Sequence, residues 1–211
     1  PNSPPPPDFP EGEQVKILTQ PLPGSYASRN LGVKVSKGQI LAFTDSDCIL
    51  DPYWIKNAIR YLQEGADLVG GKMEFFKEEG GDELVFLYEK QFSFNQKRNV
   101  QVNKQSITAN LFAKKEVFDQ IGYFPENLLS GGDFEWTKKA SHFGFNLVFG
   151  EDVLVKHPAR KSIASLQKKK KRTSGGMYFK FFKDYSLLKK ITFTLYLLRP
   201  PVTILFFRDY T

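Results

Sequence analysis

The run Ile40-Leu41-Ala42-Phe43-Thr44 has no charged break, and Asp45-Ser46-Asp47-Cys48 follows it directly. A continuous apolar run of this length suits a strand covered on both faces, as in the parallel sheets of α/β proteins. In such sheets ligands bind beyond the carboxyl ends of the strands, so two carboxylates at that point stand where a site is expected. Hard oxygen donors suit Mg²⁺ or Mn²⁺ held against a diphosphate. The same residues also suit a solvated turn in which Asp47 or Asp51 caps the next helix.

The rest of the chain alternates between helical and extended patterns. After a Pro-rich start, Val15-Lys16-Ile17-Leu18 reads as a short strand. From Ser25, the spacing of Tyr26, Arg29, Asn30, Val33 and Lys34 predicts a helix ending near Gly38. Pro52 opens another helix, with Trp54, Ile55, Ala58, Ile59 and Leu62 on one side and Gly65 closing it. Further strands are expected at Ala66–Phe76, Ile107–Ala113, Phe145–Phe149 and Val153–Lys156. Helices are expected at Asp82 to about Lys97, Lys115–Ile121 and Asp133–Phe143, the first with Leu84, Phe86, Leu87, Phe92 and Phe94 as its apolar content. This order indicates an α/β domain with a mixed, mainly parallel sheet flanked by helices.

Charge divides the chain. Residues 1–155 carry 16 Lys and Arg against 21 Asp and Glu, whereas residues 156–211 carry 14 against 2. The basicity therefore belongs to the C-terminal quarter, centred on Lys168-Lys169-Lys170-Lys171-Arg172. Such a segment favours an anionic partner, while the acidic body argues against a nucleic-acid binder. The single cysteine, Cys48, excludes an intramolecular disulfide and fits a reducing compartment. Pro1-Asn2-Ser3-Pro4 has neither a basic start nor an apolar core of a secretion signal.

Three further clusters carry chemistry. Gly131-Gly132-Asp133-Phe134-Glu135 puts a carboxylate at a helix start, either as an N-cap or as a general base on an acceptor hydroxyl. In His157-Pro158-Ala159-Arg160 the histidine can complete a metal shell and Arg160 can hold phosphate bidentately; ordinary placement of a strand-end histidine is the plainer alternative. Gly24-Ser25-Tyr26-Ala27-Ser28-Arg29-Asn30 is either a capped helix start or a segment placing Arg29 near a nucleotide.

Taken in order, PGSYASRNLGVKVSKGQILAFTDSDC, ANLFAKKEVFDQIGYFPE, GGDFEW and HPAR resemble family 2 glycosyltransferases of the GT-A fold, over roughly residues 14–160. The resemblance implies that Asp45 and Asp47 bind a divalent metal and the donor's diphosphate, with Arg29 and Arg160 alongside, and that His157 is a third metal contact. It implies Asp133 as the base in an inverting transfer from a nucleoside diphosphate sugar to a glycan or lipid-linked acceptor.

Three departures qualify the resemblance. The family opens with a strand–loop–helix unit that recognises the nucleotide base, and nothing here matches it; Pro1–Pro10 resemble the segment that follows it. The Q-x-x-R-W signature of processive synthases is absent beside Trp136, which favours single-sugar transfer. Lys138-Lys139 stand where many relatives carry an arginine.

Two units are expected: residues 1–160 as the transferase domain, and 161–211 as a basic, aromatic-rich helical extension. The apolar stretch Ile191–Phe207 is broken by Arg199-Pro200-Pro201 and is short for a span. With Lys180, Lys183, Lys189 and Lys190 set among Phe179, Phe181, Phe182, Leu187 and Leu188, it suits an anionic membrane surface met by region 168–190. The expected setting is therefore peripheral, at the cytoplasmic face of the cell membrane. A non-catalytic module binding sugar nucleotide or lipid is the alternative. A nucleotidyltransferase would need a Gly-rich activating loop near the start, which the sequence lacks.

Overall fold

The structure, a computed structural model, describes residues 15–21, 24–93, 95–128, 130–177 and 185–197. Its frame is a five-stranded sheet: β1 (Ile40–Thr44), β2 (Ile49–Leu50), β3 (Leu68–Phe76), β4 (Asn110–Lys114) and β5 (Leu147–Pro158), in the order β1-β4-β3-β5-β2. Eight helices are described: α1 (Ser25–Val35), α2 (Trp54–Gln63), α3 (Glu83–Phe92), α4 (Gln96–Gln101), α5 (Lys115–Ile121), α6 (Gly132–His142), α7 (Ile163–Met177) and α8 (Leu187–Leu197).

The sheet is mixed, as expected. β1, β3 and β5 share one direction, and the longest ladder, β3 with β5, is parallel. β4 runs antiparallel between β1 and β3, and β2 antiparallel beside β5, so antiparallel pairing weighs more than the alternation of elements implied. The shared direction brings the carboxyl ends of β1 and β5 to one rim, placing Asp45 and His157 there.

The core lies on both faces of the sheet. In β4, Leu111 and Ala113 face a cluster with Val33, Val117, Phe118, Phe124 and Trp136, while Phe112 faces Trp54, Ala58, Leu62 and Val155. That strict alternation is the pleat expressed in burial. Phe118 stacks on Trp136 with ring centroids 4.1 Å apart, and α5 spans the predicted Lys115–Ile121. Burying this aromatic surface is a main stabilising term on that face.

Several boundaries differ from the sequence reading. β1 is not covered on both faces: it forms the edge of the described sheet, with Ile40 exposed and only Leu41 fully buried. The strand expected at Val15–Leu18 reduces to a bridge residue at Val15, with Ile17 and Leu18 exposed. Ile55 lies outside the apolar stripe of α2, because Trp54, Ala58 and Leu62 at four-residue spacing define the buried face. The long helix from Asp82 is two: Asp82 caps α3, and Asn95 starts α4 by accepting the Arg98 amide hydrogen bond. Phe94 lies outside the described residues.

β4 begins at Asn110 rather than Ile107, because the amides of Ser106 and Thr108 bond to the side chains of Thr137 and Asp133 instead of a neighbouring strand. The strands expected at Phe145–Phe149 and Val153–Lys156 are one, β5, whose register against β3 jumps from Gly71↔Gly150 to Lys72↔Leu154. This bulge takes the place of the expected break. A Cβ on Gly71 would lie 2.3 Å from the Val153 carbonyl oxygen and 2.4 Å from the Asn110 amide, so only glycine fits there.

Candidate functional site

A cleft of about 550 Å³ opens at the rim where β1 and β5 end. α1 forms one wall with Tyr26 and Arg29, the start of α6 supplies Asp133, and Arg160 with α7 forms the opposite wall. A second hollow, of about 520 Å³, lies at the amino end of β1 beside Lys37, Ile40 and Lys114. Two of its lysines are occupied locally, Lys114 by Asp67 and Lys115 by the Ser36 carbonyl, and it holds none of the clustered groups described above. The rim cleft is the site.

α1 carries three fixings within five residues. The Tyr26 hydroxyl donates to Asp133 Oδ1 at 3.1 Å and accepts from the Gly132 amide at 2.9 Å. Arg29 donates to Asp45 Oδ1 at 2.6 Å. Asn30 is buried and bonds both ways with the backbone of Phe124, tying the segment after α5 to α1. Burial, and next the Asp133 carboxylate, push the Tyr26 phenol up to about 12, so it is a neutral donor across physiological pH.

Asp133 is held from three directions. Besides Tyr26, its carboxylate accepts from the Thr108 amide at 3.2 Å and from the Phe134 amide at 3.0 Å. It is not the N-cap of α6; that position belongs to Gly131, at φ 80°. The neighbouring glycine has a packing reason rather than a ligand-approach one: a Cβ on Gly132 would come within 2.8 Å of the Tyr26 ring. Thus Asp133 sits on a rigid helix start with its carboxylate oriented into the cleft lining.

The two aspartates after β1 separate. Asp45 pairs with Arg29 in the cleft, whereas Asp47 Oδ1 lies 3.9 Å from His157 Nε2. Asp51 takes the turn-capping role, accepting the Tyr53 amide hydrogen bond before α2. His157 is buried, and its Nδ1 lies 2.8 Å from the Pro158 carbonyl oxygen. A carbonyl only accepts, so in the neutral ring Nδ1 carries the proton and Nε2 presents its lone pair on the Asp47 side.

Among the described residues, Asp47, Cys48 and His157 are close enough to share a metal ion. A 3.9 Å separation fits two donors each about 2.1 Å from one ion. Carboxylate and imidazole together suit Mn²⁺, with open positions left for a ligand. Cys48 adds little: burial raises its thiol, and soft sulfur suits neither Mg²⁺ nor Mn²⁺. Asp45 stands outside this set, engaged with Arg29.

Arg160 lines the opposite wall, and its Nε is buried without a hydrogen-bond partner. Lys139, by contrast, donates to the Ile121 carbonyl at the end of α5 and serves the fold. The sequence reading missed Tyr26 and Thr108 as supports of Asp133, and also missed Glu89. Glu89 is a glutamate on the buried face of α3, four residues after Val85, and a charge on an apolar stripe was the available signal.

Known proteins resemble this chain in sequence and in fold. The chain matches the model of glycosyl transferase family 2 over residues 8–122. It is 37% identical over 169 residues to glycosyltransferase AglE of Haloferax volcanii, covering 80% of this chain and 55% of that protein. The chain thus spans little more than half the length of that relative. Among solved structures, the mannosyltransferase PcManGT from Pyrobaculum calidifontis, in complex with GDP-Man and Mn²⁺, superposes with a TM-score of 0.52 at 16% identity, over 77% of this chain and 45% of that one. That likeness gives the fold. The family model covers more than half of the chain, and a relative 37% identical matches four fifths of it, so the chain belongs to glycosyl transferase family 2.

Proposed function

We propose that this chain carries the catalytic site of an inverting, metal-dependent glycosyltransferase acting on a nucleoside diphosphate sugar. The observation that carries the reading is the fixed carboxylate of Asp133, in one cleft with Asp45 and His157. The acceptor is a hydroxyl of a glycan or a lipid-linked sugar. Asp133 takes the proton of that hydroxyl while its oxygen bonds to the anomeric carbon. The bond from that carbon to the diphosphate breaks in the same displacement, and its electron pair leaves with the diphosphate. Attack from the face opposite the leaving group inverts the anomeric centre.

Asp47 and His157 would hold Mg²⁺ or Mn²⁺, with Asp45 oriented by Arg29 beside them. The ion, when bound, supplies neutralisation of charge on the leaving diphosphate. Arg29 and Arg160 line the same cleft and suit phosphate oxygens. Exposed Leu187, Leu188 and Ile191 on α8, interleaved with Lys189 and Lys190, support a peripheral position on an anionic membrane at the cytoplasmic face. Among the described residues no helix is long and apolar enough to cross a membrane.

The test is nucleotide-sugar turnover by the full-length protein with Mn²⁺. Asp133→Asn should lower kcat about 10²–10⁴-fold with the fold intact, and Asp47→Ala should abolish the Mn²⁺ dependence. Unchanged turnover in either variant sinks the assigned role. Nucleotide binding without any transfer would favour a non-catalytic binding module.

A further inference from the structure

Cys48 stands at the rim with no part in the transfer chemistry, and the fold sets it beside two residues that have one. A turn closed by the Cys48 amide on the Asp45 carbonyl, at 3.2 Å, brings the chain round after β1. β2 follows at once and pairs antiparallel with β5 in the register Ile49↔Lys156. One step back from Ile49 is Cys48, and one step on from Lys156 is His157, so continuing the register sets the two opposite each other. Directly opposed residues of an antiparallel pair share a face, with Cβ atoms about 4.5–5.5 Å apart. The adjacency of thiol and imidazole is thus a consequence of strand pairing.

One donor atom each from Asp47, Cys48 and His157 lies within 4.8 Å of the other two. Donors on a tetrahedral zinc ion stand about 3.5 Å apart, given Zn–S near 2.3 Å and Zn–N near 2.0 Å. Small side-chain rotations close the set to that spacing, and Asp47, 49% exposed, has room to make one. His157 is the fixed member, its ring packed edge-on against Phe75.

The donors decide which ion gains from the third ligand. Mg²⁺ and Mn²⁺ use the carboxylate and the imidazole and leave the sulfur aside. Zn²⁺ takes all three, since thiolate, imidazole and carboxylate are its ordinary ligands. As the Zn–S bond forms, the Cys48 thiol gives its proton to solvent. Octahedral Mg²⁺ or Mn²⁺ on Asp47 and His157 keeps several positions open, enough to take two oxygens of a diphosphate. Tetrahedral Zn²⁺ on three protein ligands keeps a single one. It fills the place of the other ion without chelating the diphosphate as that ion would.

We infer that Asp47, Cys48 and His157 form a zinc site overlapping the place of the catalytic ion, that Cys48 is the ligand selecting Zn²⁺, and that zinc bound there blocks transfer. The block rests on the transferase reading above; the site rests on the three donors alone.

The experiment is a metal titration of untagged, full-length protein, with Co²⁺ as the spectroscopic stand-in for Zn²⁺. A thiolate on Co²⁺ gives a charge-transfer band in the near ultraviolet that carboxylate and imidazole do not. The band should appear in the wild type, and Zn²⁺ should remove it by displacing Co²⁺ at concentrations where Mn²⁺ does not. Cys48→Ser should lose the band. It should also weaken Zn²⁺ by at least the roughly 10–100-fold that loss of a ligand's supporting partner costs. Mn²⁺ affinity, read by electron paramagnetic resonance, should stay unchanged in that variant. In turnover with Mn²⁺, zinc should inhibit the wild type at concentrations that spare Cys48→Ser. Co²⁺ bound without the band, a band that survives Cys48→Ser, or protein that binds Mn²⁺ but not Zn²⁺ overturns the site. Zinc held through Cys48 with transfer undiminished overturns the block. A cobalt band in protein that binds no Mn²⁺ supports the zinc site and counts against the catalytic-ion reading instead.

Discussion

The two walls of the cleft are held by opposite strategies. The α1 wall distributes its fixings: Tyr26 on Asp133, Arg29 on Asp45 and Asn30 on Phe124, all from one helical turn and its neighbour. The α7 wall is tied to the interior through a buried carboxylate, Glu89, which accepts from Lys169 Nζ and from the Arg160 amide; Glu89 is 0% and Lys169 14% exposed. Distributed, partly solvated bonds fail gradually. A buried charge loses its partner all at once, leaving an ion that the interior cannot solvate.

That difference can be broken experimentally. Lys169→Ala should destabilise the fold by about 3–5 kcal/mol, because it strands Glu89 without its cation. Replacing both members, Glu89→Leu with Lys169→Leu, should recover much of that loss, since an apolar pair needs no desolvation of charge. Denaturant unfolding of the two variants measures the gap. If the single variant is as stable as the double, the α7 wall is not anchored as described.

Tyr26 tests the other wall at alkaline pH. Its phenol is raised from 10.0 to about 12 in the fold, by burial first and then by Asp133. A group whose folded value lies above its unfolded one contributes stability that is complete below pH 10. That stability is lost as the pH climbs from 10 towards 12, while the unfolded chain releases its proton. The loss should be on the order of 2 kcal/mol. Tyr26→Phe should flatten this part of the stability curve, since it has no proton to release. Thermal unfolding between pH 9 and 12 reports the difference, and parallel curves would remove Tyr26 from its buried contact with Asp133.

The contrast between the walls also explains what the sequence could tell. Asp45, Asp47, Asp133, His157 and Arg160 stood in short ordered segments, and helix periodicity put Arg29 and Tyr26 on one face. α5 was readable to the residue, because Val117, Phe118 and Ile121 mark a buried stripe closed by Gly122 at φ 83°. The pairing of Glu89 with Lys169 was not readable: 80 positions separate the partners, and only the packing of α7 brings them together. Nor was the parting of Asp45 from Asp47, which depends on Arg29 and His157 drawing them to different neighbours. The edge position of β1 escaped for a related reason. Its apolar residues suit a covered strand, while coverage is decided by which strands lie beside it.

Arg29→Ala is the smallest of these effects and the sharpest check on the comparison. Its pair with Asp45 has the same 2.6 Å separation as the Glu89 pair, but Asp45 is 36% exposed and Arg29 19%. Water can take over the carboxylate once the guanidinium is removed, so the stability lost should stay within about 1 kcal/mol. The same short contact, placed in two degrees of burial, should therefore differ several-fold in what its loss does to the fold. Measured beside Lys169→Ala, a loss of similar size would show that the α1 wall also hangs on a single charge, and the distributed account of it would fail.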